Sequence, residues 1–346
     1  MKKTLIALAA VAATGAAFAQ STVTLFGVVD AAVTYTKTGA AKTTAMTDSG
    51  YASSRFGVRG EEDLGGGLKA AFHLEAGINN DNGTGDATNT NNQAVAAFNT
   101  TTGANAPVRA GTQGLTFNRR STVSLMGGFG ELRVGRDYTP HFWNHTVFDP
   151  FGTNGVGSSA ANNVNADATN LTGVRASNSI GYLSPSFSGF AVQVQTFLGE
   201  TASPAAKAGS GSALRATYAS GPLSVAAAFG KTTMSATQDW TASNFGASYD
   251  LGVAKLSAIM SEDKQTGVTA KMKGTLIGVT APMGAGVVKF AISNQKIGTT
   301  TDTDKVAIGY GYALSKRTSL YTTFANTKPM TGDKTTGFDL GVSHAF

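Results

Sequence analysis

Apolar residues in this chain recur at every second position, and many of the residues between them carry charge. In "LKAAFHLEAGI", Leu68, Ala70, Phe72, Leu74 and Ile78 share one parity, while Lys69, His73 and Glu75 share the other. "STVTLFGVVDAAVTY" repeats the pattern, with Val23 and Leu25 set against Thr22 and Thr24. A period of two is that of an extended strand, whose successive side chains point to opposite faces. A face bearing Lys, His and Glu must be wet, because a buried charge needs a partner or water. Such a chain has to form sheet with one aqueous side and one apolar side.

The run "TFNRRSTVSL" sharpens the constraint. Val123 and Leu125 mark an apolar side, yet Arg119 and Arg120 stand next to each other in the same strand. A soluble β-sandwich also alternates, but its inner face is dry. A closed barrel in lipid reverses the faces, with apolar residues outside and polar residues lining the interior. It must be closed, because an open edge would leave backbone groups unsatisfied in hydrocarbon.

Turn chemistry predicts the number of strands. Tight turns read at "DLGGG" (63–67), "GGFG" (127–130), "SPSFSG" (184–189), "SGP" (220–222), "YDLG" (249–252), "PMGAG" (282–286) and "LSKR" (314–317). Gly, Pro, Asn, Asp and Ser dominate such turns for conformational reasons. Longer segments rich in Gly, Asn, Thr and Ala alternate with them, near 39–49, 79–113, 138–174, 199–211, 231–240, 262–270, 296–303 and 328–334. Seven short and eight long connections imply sixteen strands, an all-β, antiparallel transmembrane β-barrel.

The chain has 346 residues, and its start reads as a leader. Lys2 and Lys3 precede an apolar stretch from Leu5 to about Ala13, and Ala17-Phe18-Ala19 has the form of a signal-peptidase site. The stretch is short of the roughly 20 apolar residues that span a membrane. The expectation is a signal peptide over 1–19, cleaved after Ala19, and a barrel domain over 20–346. The remaining 327 residues carry 25 basic and 21 acidic side chains, a net charge of +4. These charges are scattered singly with no Lys/Arg block, which speaks against nucleic acid as a partner and fits a route for anions. There is no cysteine, so disulfides are excluded.

Enzymatic chemistry finds little support. Four histidines are present, His73, His141, His145 and His344. His141 and His145 are four apart in "HFWNH", but no Glu lies between them to act as base, and the segment reads as an aromatic loop. The glycines of "GGGLKA" and "GAGVVKF" read as turn glycines with no helix after them, not as a nucleotide cradle. No enzyme, no metal site and no cofactor are expected.

The chain resembles the Gram-negative general porins, in particular the anion-selective porins of the proteobacterial subgroup. The segments that carry the likeness are "TVTLFGVVDAAVTY", "SSRFGVRGEEDLGGGLKAAFHLEAG", "FNRRSTVSLMGGFGELRVGRDY", "VRASNSIGYLSPSFSGF" and "GVSHAF", from just after the leader to the last residue. The resemblance implies an outer-membrane homotrimer for passive diffusion of small anions and hydrophilic solutes. It places 138–174 as a third loop folded inward to narrow the pore. It also implies contact with outer-membrane lipids and lipopolysaccharide. The closing strand "TTGFDLGVSHAF" ends on Phe346, similar to the signal read by the barrel-assembly machinery. Two other readings stay open: a solute-specific channel with a binding site, and a barrel whose outer loops act as adhesin or receptor.

Site residues follow from parity and from this resemblance together. Arg55 opposes Phe56 and Val58, and Arg175 opposes Ile180 and Tyr182, so both are expected to point inward. Arg59 shares the parity of Arg55, nearer the short turn. Parity with Phe117, Val123 and Leu125 puts Arg120 inside and Arg119 outside, whereas the resemblance puts Arg119 at the constriction; a β-bulge would shift the parity. Arg136 and Arg317 read as headgroup contacts. Glu75 is expected inside by parity, either paired with Lys69 or His73 or facing the arginines, and Asp149 in "VFDPFG" is expected on the inward loop. In the related porins acidic residues at these two places lie across from the basic cluster.

Overall fold

The computed structural model describes residues 22–86, 88, 92, 95–99, 104–108, 114–161, 172–200, 207–329 and 331–346. The leader and its cleavage site lie outside these residues, as does 162–171 of the long third connection.

The chain winds up and down around a barrel. Its main sheet joins eighteen segments. Two of them form one interrupted strand, and the two-residue Thr84–Gly85 is a ladder within a loop, which leaves sixteen barrel strands. In chain order they are β1 (Thr22–Thr38), β2 (Ala41–Asp48 and Arg55–Gly65), β3 (Leu68–Asn79), β4 (Arg120–Gly127), β5 (Gly130–Tyr138), β6 (Arg175–Leu183), β7 (Phe190–Phe197) and β8 (Gly211–Ser220). The second half comprises β9 (Leu223–Thr233), β10 (Asp239–Asp250), β11 (Lys255–Gln265), β12 (Met272–Met283), β13 (Gly286–Ile297), β14 (Thr300–Ala313), β15 (Thr318–Pro329) and β16 (Thr335–Ala345). Each pairs antiparallel with the next, and β16 returns to β1 from Val28↔Ala345 to Thr38↔Thr335. Beyond the last strand residue, Phe346 and Gly27 exchange two backbone hydrogen bonds of 3.1 Å, which extends the seam to the carboxy terminus.

The faces divide as alternation requires. Val23, Leu25, Val29 and Val33 of β1 are exposed on the outside, while Asp30 and Ala32 point in and are buried. At the short-turn end an aromatic belt includes Phe129, Tyr182, Phe187, Phe190 and Tyr249. Rings of this kind sit at the headgroup level, where one end of the side chain is wet.

The first connection differs from the expectation. The segment near 39–49 is no long loop: β1 and β2 continue past it as a ladder from Ala31↔Asp48 to Thr38↔Ala41, closed by a tight turn at Gly39. Threonines tie these strands together, the hydroxyls of Thr34 and Thr47 lying 2.6 Å apart. The irregularity comes one step later, at 49–54, where β2 is interrupted. There the buried carboxylate of Asp30 accepts N–H bonds from Gly50, Tyr51 and Ala52, and the hydroxyl of Tyr321 donates to it at 2.5 Å.

The third connection holds a helix, α1 (Pro140–Phe148), and turns into the barrel. Pro140 suits a first helical position because its missing N–H costs nothing there. The helix lies against β8 to β11, and the chain after it runs on past β12 to β16. Glycines on the inner wall make room. A side chain at Gly246 would strike Phe148, one at Gly278 would strike Pro150, and one at Gly274 would strike Ala161. Phe148, Phe151 and Ala161 therefore form an apolar cluster with Ile259 of β11 and Leu276 of β12, inside an otherwise polar lumen.

Candidate functional site: the arginine wall of the lumen

Strands β2 to β6 carry the charged side of the channel. Arg119 begins it. Its backbone N–H donates to Glu75 O at 3.1 Å, while Arg120 is registered directly opposite Glu75. Two residues of one strand thus oppose one of the next, which is the arrangement of a β-bulge. The consequence is that both arginines face the lumen. Arg119 Nε lies 2.5 Å from Glu75 Oε1, and Arg120 Nε lies 3.5 Å from Asp137 Oδ1. Simple alternation had put Arg119 outside; the bulge corrects it.

Glu75 is the hub. Besides Arg119, its carboxylate meets His73 Nε2 at 3.2 Å and Arg55 Nε at 3.9 Å. The same-face pairing and the arginine pairing weighed from the sequence thus coexist, while Lys69 goes to Glu61 at 2.6 Å. Arg55 is held by Ser53 O at 2.9 Å, at the end of the 49–54 excursion. Arg175 comes from β6. It lies over the ring of Tyr138, 4.2 Å from the centroid, and donates to the Tyr138 hydroxyl at 2.6 Å; Arg119 donates to the same oxygen at the same distance.

Tyr138 was not singled out by sequence reasoning, and no parity signal could have found it. It stands where β5 leaves the wall for the inward loop, stacked with Phe142 at 5.6 Å and near Trp143 at 5.1 Å. The only cue is an aromatic with a polar tip next to the "TP" that starts the loop. Arg136 is a second surprise. It is no headgroup contact: its guanidinium donates to Asn118 O at 2.5 Å and to Ser177 Oγ at 2.8 Å. Below the hub, Arg133 binds Glu131 at 2.8 Å and Asp137 at 2.6 Å. This wall therefore sets six arginines, at 55, 119, 120, 133, 136 and 175, against Glu75, Glu131 and Asp137.

Asp149 takes a different place from the one expected. It is on the inward loop, but its carboxylate turns into the loop itself, accepting from Phe151 N at 2.9 Å and Ser159 N at 3.1 Å. Among the described residues no arginine pairs with it; the nearby cations are Lys305, which donates to Ser158 O at 2.5 Å, and Lys289, which lies over the ring of Tyr51. A short polar side chain followed by Pro150 and Phe151 is satisfied by its own turn, and burial pushes its carboxyl up. His141 and His145 of α1 are also buried and form no metal cluster among the described residues.

The ion pairs hold these guanidiniums in fixed places along the wall, the side chains of Arg119 and Glu75 each being only 11% exposed.

Comparison with known proteins agrees with this geometry. A family model described as Gram-negative porin matches residues 4–329. Outer membrane porin protein 32 of Delftia acidovorans is 36% identical over 379 aligned residues, covering all of both chains. An outer membrane porin protein of Bordetella pertussis is 28% identical, again over the whole of both. Among solved structures, the anion-selective porin from Comamonas acidovorans superposes with a TM-score of 0.80 at 32% identity, over 94% of this chain and 100% of that one. With a sixteen-stranded barrel, an inward third connection and full-length similarity to outer-membrane porins, the chain belongs to the Gram-negative porins and forms a diffusion channel in the outer membrane.

Proposed function

We propose that this porin favours small anions. The observation that carries the reading is the imbalance of the neck: six arginines line one wall, and the sole acid of the described loop segment 139–161, Asp149, is turned away from the water. A charge in confined water sets the local field over a few ångströms, so an excess of one sign raises the concentration of the other. A single-channel recording across a salt gradient tests it: the reversal potential should have the sign of chloride flux. A cation-signed potential would overturn it. Solute-dependent saturation of conductance would instead favour a solute-specific channel.

Three further points belong to this reading. The mature chain begins at Gln20, which amino-terminal sequencing of the membrane form checks. It assembles as a homotrimer, supported by family membership, and mass measurement in mild detergent that finds only monomer would refute this. Its role is passage rather than catalysis, a reading supported by its membership of the porin family.

A further inference from the structure

The interruption of β2 hangs on one residue of β1. Register sets Ala31 opposite Asp48 and Val28 opposite Arg55, so residues 49–54 stand against only Val29 and Asp30. Asp30 gathers them. Its carboxylate accepts from Gly50 N at 3.0 Å, Tyr51 N at 3.2 Å, Ala52 N at 2.9 Å and the Tyr321 hydroxyl at 2.5 Å. Its own N–H donates to Ser54 Oγ at 3.0 Å, and its carbonyl accepts from Ser49 N at 3.2 Å and Ser54 Oγ at 3.1 Å. Successive amides aimed at one anion form a nest. Ser49 holds φ at +61°, a left-handed backbone that a non-glycine residue keeps only where its surroundings determine it.

The turn fixed in this way reaches both sides of the neck. On one side, Ser53 O accepts from Arg55 Nη1 at 2.9 Å, much closer than the 3.9 Å between Arg55 and Glu75. The Arg55 side chain is 30% exposed, against 11% for Arg119, so its place depends on that carbonyl more than on the ion pair. On the other side, Ser53 Oγ donates to Asn154 Oδ1 at 2.7 Å. Gly155, with φ +58°, lies so close to Gly50 O that any side chain there would strike it. Asn154 and Gly155 belong to the inward loop.

We infer that Asp30, buried away from the water path, is a positioning residue for selectivity. Through the turn 49–54 it places the Arg55 guanidinium in the neck and the tip of the inward loop across from it. Its charge and its role act in opposite directions. As a bare negative charge beside the lumen it would repel anions, so its removal would raise anion preference. As an anchor it does the reverse, because its removal frees Arg55. The inference rests on the anion preference proposed above only for the sign of the wild-type potential. Each variant is read against wild type, so a cation-signed wild type would overturn that reading and leave this test standing.

The test uses the full-length channel in a planar bilayer with a gradient of dilute chloride. Asp30→Asn keeps the size of the side chain but presents an NH2 group to amides that need an acceptor. Anion preference should fall about twofold. Asp30→Glu keeps the charge but displaces the carboxylate, and should fall with it. Added to Arg55→Ala, Asp30→Asn should cause no further fall. Ser53→Ala removes the hydroxyl bond to Asn154 and should alter single-channel conductance, the readout of the loop tip. Tyr321→Phe removes one donor and no charge; it should shift the reversal potential in the same direction by a smaller amount, and it serves should the Asp30 variants not assemble. A rise in anion preference in Asp30→Asn, a wild-type potential in Asp30→Glu, or a further fall in the double variant would overturn the inference. An unchanged potential in Tyr321→Phe would do the same, and unchanged conductance in Ser53→Ala would overturn its extension to the loop.

Discussion

Arg119 Nε lies 2.5 Å from Glu75 Oε1, and the pair is held at the one place where β4 sets two residues against one of β3. The bulge turns a side chain that alternation would send into lipid toward the neck of the channel. Arg119→Ala and Glu75→Gln should therefore move selectivity in opposite directions. The first removes a neck cation and lowers anion preference; the second removes the anion that three basic side chains share and raises it. Both shifts should be several-fold in dilute chloride and should shrink near 1 M salt, where the screening length is about 3 Å. Reversal potentials at two ionic strengths check this, and parallel shifts of the two variants would contradict it.

Tyr138 separates charge from position. Tyr138→Phe removes the oxygen to which Arg119 and Arg175 both donate, but it removes no charge. Each lost hydrogen bond to a charged group is worth about 1.5–3 kcal/mol where water cannot replace it, and less in this wet neck. Anion preference should persist, while open-channel noise rises as the two guanidiniums gain freedom. Loss of selectivity would mean that the hydroxyl itself contacts the ions.

The glycines under the inward loop make a steric prediction. Gly246→Val puts a side chain where the ring of Phe148 now packs. Overpacking of this kind costs about 1–3 kcal/mol, relieved here by lifting the loop into the lumen. Single-channel conductance should fall while the barrel keeps its resistance to heat in detergent, because no wall hydrogen bond is touched. Unchanged conductance would show that the wall does not set the position of the loop.

His141 and His145 predict a pH dependence of that same loop. Burial holds the imidazole of His141 down to about 4 and that of His145 down to about 3. The docked loop thus favours the neutral rings, whereas a released loop takes up protons near 6.5. Docking is at full strength above about pH 6.5 and weakens as pH falls toward 4. Open-channel noise should grow over that interval. Among the described residues Nε2 of His145 has no hydrogen-bond partner, so His145→Leu should blunt the effect without loosening the loop at neutral pH.

At the seam, Phe346 lies against Gly27, where any side chain would collide with its ring. Deleting Phe346 removes the two terminal backbone bonds to β1 and should lower the yield of barrel in the outer membrane, with normal conductance in the channels that form. Full yield would rule out a role for this residue in assembly.

Alternating faces and seven tight turns were legible in the sequence, and so was a barrel of sixteen strands; of the eight connections expected to be longer, those at 39–49 and 296–303 are tight hairpin turns instead. These features are local: strand geometry imposes the period of two, and turn residues act within a few positions. The inward parity of Arg55, Arg175 and Glu75 followed from the same period. What the period could not reveal lies wherever the backbone departs from it. The bulge brings both Arg119 and Arg120 inside, the hairpin replaces an expected loop at 39–49, and Tyr138 enters the site from a strand end. Asp149 was placed on the right segment but with the wrong direction, because its partners are amides of its own turn. Only the packed structure decides such points: the path of the inward loop is set by contacts between residues far apart in the chain, Phe148 against Gly246 and Pro150 against Gly278, which no local pattern records.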